Sequence, residues 1–345
     1  MLRIHQYFET AIARKASDLH LKVGSPPTLR IGGRLTQLVE EPLSHQEMPN
    51  LFLPLLNSKM QENLYTKFEA NFMVNYKNIF RVRICIYFQR GCFSGAFRFI
   101  PSKIPSIEQL KLPPRLKEIS LLPRGLFLVT GPANSGKSHT LAAMVHEINK
   151  NNSRHVITIE DPIEFIHKSK RSIFTQREIG ITTHNYQQAL VHALREDPDV
   201  ILVGEMRDLD TIEMAMTAAE TGHLVLSTLH TVGAAQTVDR IINVFPGHKQ
   251  EEIRSQLSLS LIGLISQILL PGKNKVDRFM AYELMILNSA MRNLIREKKT
   301  NQLKSILLLS RKEGCVTLRD SLADLVRDDR VDAKLVNSLM KEITE

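Results

Sequence analysis

Cysteine is scarce in this chain. Cys85, Cys92 and Cys315 are the only three among 345 residues, and none forms a C-x-x-C pair. No disulfide framework is available, so a reducing compartment is expected and each cysteine is read as a core residue. Long hydrophobic runs are missing too. The best candidate, Leu257 to Leu270, is interrupted by Ser258, Ser260, Ser266 and Gln267, and a bilayer span needs about 20 apolar residues. Arg3, His5 and Glu9 stand where a signal peptide would need an apolar core, so nothing directs export. No internal repeat or low-complexity segment is visible. Charge of one sign is not concentrated either: the formal net charge is +9, but the basic residues are scattered and only Lys168-Ser169-Lys170-Arg171 resembles a cluster. Such a run reads as a solvated loop. The positive balance leaves nucleic acid or an anionic membrane surface open as partners without deciding between them.

What is present is a globular chain, 43% hydrophobic, long enough for roughly two domains. Its centre is Leu126-Phe127-Leu128-Val129-Thr130 running into Gly131-Pro132-Ala133-Asn134-Ser135-Gly136-Lys137-Ser138. Leu141, Met144, Val145 and Ile148 follow at helical spacing. Strand, Gly-x-x-x-x-Gly-Lys-Ser loop and helix in that order are the context of a nucleotide P-loop. Gly131 and Gly136 let the backbone curl until its N–H groups face phosphate oxygens, and the helix beginning near Lys137 adds the positive end of its dipole. Lys137 supplies a point charge to the outer phosphates, and the Ser138 hydroxyl is a candidate Mg²⁺ ligand. ATP and Mg²⁺ are the cofactors this loop implies, bound by residues 131–138 with His139 next to them.

Around this centre the first third, 1–100, reads as a small α+β domain. It holds an amphipathic helix over 1–14 with Ile4, Tyr7, Phe8 and Ile12 on one side, a hairpin at Gly32-Gly33, and a helix capped by Ser44 with Glu47 completing a capping box. Strands Phe80–Ile84 and Ala96–Ile100 close it. Pro101, Pro105, Pro113, Pro114 and Pro123 mark 101–122 as a linker with short helices at 106–112 and 115–121. From 123 on, strands and helices alternate: helix 137–149, strand 156–159, helix 186–196, strand 200–203, helix 209–221 and strand 223–229. That pattern predicts a mostly parallel α/β sheet with ligands at the strand ends. After a strand at 278–286, the segment 287–345 reads as helical, with Leu294, Leu303, Leu307, Leu322, Leu325 and Leu335 as core candidates.

Hydrolysis needs groups to place Mg²⁺, orient water and meet developing charge. Glu160-Asp161-Pro162-Ile163-Glu164 ends one predicted strand, and Val200–Val203 runs into Gly204-Glu205 at the end of another. The second resembles a Walker B motif with Gly204 where most P-loop enzymes have aspartate. Glu205 must then carry the Mg²⁺-side function alone, through water, leaving Glu164 as the better general base. Taken singly, either motif reads more readily as solvated acids at a strand end. His223 and His230 bracket the strand between them. With no cysteine or third histidine beside them a metal site is disfavoured, a lone histidine is more often a packing residue, and the polar run Thr228-Leu229-His230-Thr231 suits a phosphate sensor, a role assigned to both histidines.

These stretches together resemble one family. Thr158–Phe165 is similar to its Asp box, Asp197–Asp208 to its Walker B, and Thr217–His223 with Leu229–Thr231 to its His box. The family is the secretion ATPase superfamily, and within it the PilT-type retraction ATPases of type IV pili. Ala16–Leu21 and Arg292–Glu297 fit as well, so the resemblance covers essentially the whole chain. It implies a RecA-like P-loop ATPase core preceded by a PAS-like α+β domain, and homohexameric rings with nucleotide between subunits. It also implies arginines donated in trans from the N-terminal domain, for which Arg98 matches best and Arg81 next. An inner-membrane pilus platform protein and a related ATPase paralogue are the implied partners, with no nucleic acid. The implied location is cytoplasmic, at the membrane beneath the pilus. Departures are Ala133-Asn134 for the usual Thr-Gly, His139 for Thr, Met291 for Ile, and a loose match at Gly314–Thr317. Three other readings stay open: a pilus-extension or type II/IV secretion ATPase, a RecA-like DNA translocase, and a non-hydrolysing assembly module. Extension ATPases usually carry an added N-terminal domain and often a tetracysteine zinc module, which favours retraction for this sequence.

Overall fold

The computed structural model describes residues 3–274 and 277–344. Two compact units make up the chain: Met1–Lys103 with Asn274–Asp277, and Ile104–Lys273 with Arg278–Glu345.

The first unit contains α1 (Arg3–Ala13), β1 (Asp18–Lys22), β2 (Thr28–Ile31), β3 (Arg34–Gln37), α2 (Glu47–Phe52), α3 (Ser58–Lys67), β4 (Glu69–Tyr76), β5 (Phe80–Gln89) and β6 (Cys92–Pro101). Its six strands form an antiparallel sheet in the order β3-β2-β1-β6-β5-β4. Period-two alternation puts Val82, Ile84 and Ile86 of β5 on the buried face, where Ile4, Tyr7 and Phe8 of α1 join the same core. Gly32 and Gly33, both at positive φ, turn β2 into β3. The Ser44–Glu47 pairing forms only in part: the Glu47 carboxylate accepts from the Ser44 backbone N–H and hydroxyl, each at 2.7 Å, but α2 begins at Glu47 itself.

The second unit contains α4 (Arg115–Ser120), β7 (Gly125–Thr130), α5 (Lys137–Asn151), β8 (His155–Glu160), β9 (Ile173–Glu178), α6 (Tyr186–Ala193), β10 (Val200–Val203), α7 (Leu209–Glu220), β11 (Leu224–Leu229), α8 (Ala234–Asn243), α9 (Gln250–Ser260), β12 (Leu261–Pro271), β13 (Arg278–Ile286), α10 (Ser289–Arg296), α11 (Leu303–Leu309), α12 (Leu318–Arg327) and α13 (Ala333–Thr344). The sheet order is β13-β12-β7-β11-β10-β8-β9, parallel throughout except for β13 on β12. Each central strand is apolar on both faces, as a doubly covered sheet requires. Leu126, Leu128, Ile201 and Val203 pack on the side of α6 to α9. Phe127, Val129, Val200 and Leu202 pack against Leu141, Met144, Val145 and Ile148 of α5.

The structure departs from the sequence expectation elsewhere too. Residues 104–122 are no linker: Ile107, Leu112, Leu116 and Ile119 belong to the core on the α5 side of the sheet, and 106–112 forms turns in place of a helix. Elements α3, β9, α8, α9 and β12 were not anticipated. Leu335 is 37% exposed, and its neighbour Val336, 7% exposed, takes the inward position on α13.

Leu116 has no exposed surface. Leu116→Ala should therefore destabilise the second unit by about 2–5 kcal/mol, read from chemical denaturation. A residue in a true linker would lose no more than about 0.5 kcal/mol.

Candidate active site

Since β7, β8, β10 and β11 run parallel, their C-terminal ends share one edge of the sheet, and the loops beyond them converge there. Beyond β7 the backbone curls through Gly131 (φ 138°), Asn134 (φ 64°) and Gly136 (φ 93°) into α5. A Cβ on Gly131 would lie 2.1 Å from the Gln267 carbonyl oxygen, so only glycine passes there without displacing β12. Asn134 adopts the left-handed conformation that asparagine tolerates better than most residues, which reconciles its presence in the loop with the cradle shape. Pro132, Ala133 and Asn134 are exposed at the tip.

Gln267, 1% exposed on β12, pins the loop from below. Its Nε2 donates to the Ser135 carbonyl at 2.8 Å, and its Oε1 accepts from the Thr140 hydroxyl at 2.9 Å. Sequence reading passed over this residue as an interruption in an apolar run; an amide inside a buried strand was the available signal. The Ser135 hydroxyl is buried without a hydrogen-bond partner among the described residues, an unmet polar group of the kind a phosphate oxygen satisfies. Lys137 Nζ folds back to donate to the carbonyls of Gly131 and Pro132 at 2.8 and 2.9 Å. Burial lowers its pKa below the usual lysine value, opposed by the charges of Glu205 and Glu164. Ser138 follows in the first turn of the 15-residue α5, where helix N–H groups and dipole favour anions.

Strand β11 lies between β7 and β10, and His230 just past its end bridges the two motifs. His230 Nδ1 is 3.5 Å from Lys137 Nζ, and its Nε2 is 3.0 Å from Glu205 Oε1. Glu205, only 17% exposed in its side chain, also accepts from Arg207 at 2.8 Å. A cavity of about 310 Å³ opens beside Glu205 and His230, with Arg207 and Arg240 on its wall.

Glu164 lies in the loop after β8, and its charge acts on Lys137, His139 and Glu160. His139, half-buried in α5, meets the Phe165 ring edge-on at 5.0 Å, and burial lowers its pKa. Glu160 ends β8, accepting from the Thr158 hydroxyl at 2.7 Å and from Gln176 at 3.3 Å. Burial, the largest influence, pushes its pKa up to about 7, although these hydrogen bonds oppose the shift. Gln176, unnoticed in the sequence, also donates to the Phe165 carbonyl at 2.9 Å, tying the loop that carries Glu164 to β9.

One expected member is elsewhere. His223 precedes β11 at the end paired with Gly125, the start of β7, while Leu229 pairs with Thr130 at the phosphate end. Six strand residues of roughly 3.3 Å rise each separate it from the loop of its own chain. Its Nδ1 is 2.9 Å from the Ala218 carbonyl at the close of α7. Of the two histidines expected to sense phosphate, the structure brings only His230 to the loop of its own chain. In the first unit, Arg98 Nε donates to Asp18 Oδ1 at 2.8 Å with the guanidinium side chain 42% exposed, whereas Arg81 is 8% exposed. Arg98 is the more accessible of the two.

The candidate Mg²⁺ ligands, Ser138 and Glu205, are oxygen donors of the type Mg²⁺ takes. Among the described residues no group of three His, Cys, Asp or Glu could hold an ion. The set fits a magnesium held mainly by nucleotide phosphates and water with few protein ligands.

A parallel sheet with a glycine cradle on its central strand and glutamates on the neighbouring strand ends defines a P-loop ATPase. Comparison with known proteins narrows this. The family model for type II/IV secretion system proteins matches residues 107–338. The type IV pilus retraction ATPase PilT of Pseudomonas aeruginosa is 45% identical over 311 residues, 90% of each chain. A twitching motility protein of Neisseria gonorrhoeae is 46% identical over 301 residues, 87% of this chain and 80% of the relative. A crystal structure of the pilus retraction motor PilT with bound ADP superposes with a TM-score of 0.85 at 43% identity, covering 95% of this chain and 94% of that one. The chain belongs to the PilT-type branch of the secretion ATPase family.

The folded state holds the Glu160 proton more tightly than the usual carboxylate pKa of 4.5 would. Its contribution to stability is therefore full below about pH 4.5 and is lost as pH rises through about 7. Glu160→Gln cannot ionise, so its melting temperature should gain on the wild type's across this window, with the gap widest above about pH 8. A gap that does not change with pH would refute the buried, proton-holding carboxyl.

Proposed function

We propose that this chain hydrolyses ATP to power retraction of a type IV pilus, working as a homohexameric ring on the cytoplasmic side of the inner membrane against the pilus platform protein, with a related ATPase paralogue as a further partner. The observation that carries this reading is the similarity to PilT over 90% of both chains, together with a site in which Lys137, His230 and Glu205 form one line of contacts. Extension, secretion and DNA-translocating ATPases are the alternatives it displaces.

In this reading residues 131–139 hold the nucleotide. The Lys137 ammonium leaves the two loop carbonyls for the outer phosphate oxygens, where its charge has most to compensate. Ser138, and Glu205 through water, would hold magnesium, which would supply positive charge to offset that of the phosphates. Glu164 accepts a proton from the attacking water as general base. His230 reports the outer phosphate to Glu205, since any movement of Lys137 changes what its ring faces. Arg98 is donated to the neighbouring subunit's site, with Arg81 second. The bond from Arg98 to Asp18 uses Nε and leaves the fork of terminal nitrogens out of that contact, suited to bidentate phosphate recognition.

Variants at three residues test this. Lys137→Ala should abolish hydrolysis, and Glu164→Gln should bind nucleotide while losing about 10²- to 10⁴-fold in turnover. Normal turnover in the first would remove the P-loop assignment, and in the second would move the base elsewhere, with Glu205 the next candidate. For donation in trans, Arg98→Ala should lose about 10³- to 10⁵-fold yet still assemble and bind ATP. Mixing it with Lys137→Ala subunits should then raise activity above either variant, because a mixed interface has an intact loop on one side and an intact Arg98 on the other. Mixed rings confirmed by mass but inactive would contradict it.

A further inference from the structure

Gly204 occupies the Walker B position at which P-loop enzymes hold magnesium with an aspartate. Its amide donates to the Ile159 carbonyl at 2.8 Å, and the Thr228 hydroxyl donates to its carbonyl at 2.6 Å, so the backbone here is held from both neighbouring strands. A Cβ built on Gly204 would meet the Tyr186 hydroxyl oxygen at 3.1 Å, the Ile159 carbonyl oxygen at 3.2 Å and the Glu160 Cα at 3.3 Å. A carboxylate on that Cβ would reach for the space the phenol already holds.

Tyr186 is the first residue of α6, and the preceding Asn185 caps the helix by accepting from the Gln188 N–H at 2.8 Å. Its ring packs against the core beneath the α6 side of the sheet, which fixes where the hydroxyl points. No hydrogen bond to another described residue uses that hydroxyl. The charges that act on it are Asp161, Glu205 and Glu160, with Arg207 opposing them, and burial is the largest influence; all but Arg207 raise its pKa. The hydroxyl is thus a donor set against Gly204, the residue before Glu205, with its proton uncommitted.

We propose that the Tyr186 hydroxyl stands in for the aspartate missing at position 204, ordering Glu205 and the water shell of the nucleotide-bound magnesium. It is a positioning residue: a phenol cannot neutralise the ion, but it can hold a water or a carboxylate oxygen in the orientation the ion needs. This explains why Glu205 can serve without an acidic neighbour at 204, and what a side chain there would do, since its Cβ would press on the phenol oxygen. The inference rests on the reading of the site as a magnesium-dependent ATPase.

The test is Tyr186→Phe, which keeps the ring in the core and removes only the hydroxyl. Binding of a fluorescent ADP analogue is titrated with MgCl₂, alongside steady-state hydrolysis. Loss of one hydrogen bond predicts a rise of about tenfold in the Mg²⁺ concentration for half-maximal binding, with nucleotide affinity at saturating Mg²⁺ and the melting temperature near wild type. In hydrolysis kcat should fall by a similar factor while KM at saturating Mg²⁺ holds. A merely structural tyrosine would shift melting temperature and nucleotide affinity but leave the Mg²⁺ dependence alone, and that result overturns the proposal, as does a variant indistinguishable from wild type. A wild-type protein whose nucleotide binding ignores Mg²⁺ would fail the underlying reading of the site, and this control separates the two failures. Gly204→Ala supplies an independent check on the geometry: it should disturb the Mg²⁺ dependence in the same direction by crowding the phenol, and an unchanged Mg²⁺ curve there also counts against the inference.

Discussion

The site depends on one close approach. At Gly131 the chain leaving β7 runs against the carbonyl of Gln267 on β12 so closely that a Cβ would fall 2.1 Å from the oxygen. Contact at this range sets the direction in which the loop departs. Gln267 then holds the loop's far side through Ser135 and the start of α5 through Thr140. With both ends fixed, the N–H groups between them can converge on one point without paying conformational entropy when an anion arrives. Everything functional on neighbouring strands is positioned relative to that point by parallel pairing.

Parallel order also explains why the chemistry gathers into a line. Strand β11 sits between the loop strand and the strand ending in Glu205, so a residue at its tip has both as neighbours. His230 occupies that tip and contacts Lys137 on one side and Glu205 on the other. The ammonium rests on two carbonyl oxygens of the loop. A single side chain thus connects the loop lysine with Glu205.

Features encoded locally were legible in the sequence. The strand, glycine loop and helix are consecutive, so their chemistry and their geometry coincide, and Asn134 could be accepted in the loop from its tolerance of positive φ. Glu164 and Glu205 could be singled out as candidates because apolar runs that meet acids are visible in the sequence. Features set by long-range pairing were not legible. Gln267 lies 132 positions from the Ser135 carbonyl it holds, and its strand β12, broken by Ser266 and Gln267, read as a flawed apolar run. Tyr186 looked like an ordinary helix-start residue until the sheet brought it to Gly204. His223 was grouped with His230 by proximity in sequence, but a strand separates its two ends by its full length. The prolines of 101–122 suggested a linker, while Ile107, Leu112, Leu116 and Ile119 give that segment a place in the core.

The central claim is that a nucleotide phosphate takes the place of the loop carbonyls as the partner of Lys137. A structure of the chain with Mg²⁺ and a non-hydrolysable ATP analogue tests this most directly. The account predicts an essentially unchanged backbone over 131–136, the Gln267 bonds retained, and Lys137 Nζ moved from the Gly131 and Pro132 oxygens to the outer phosphates. A nucleotide bound elsewhere, or Lys137 still on those two carbonyls with the phosphates in place, would contradict it.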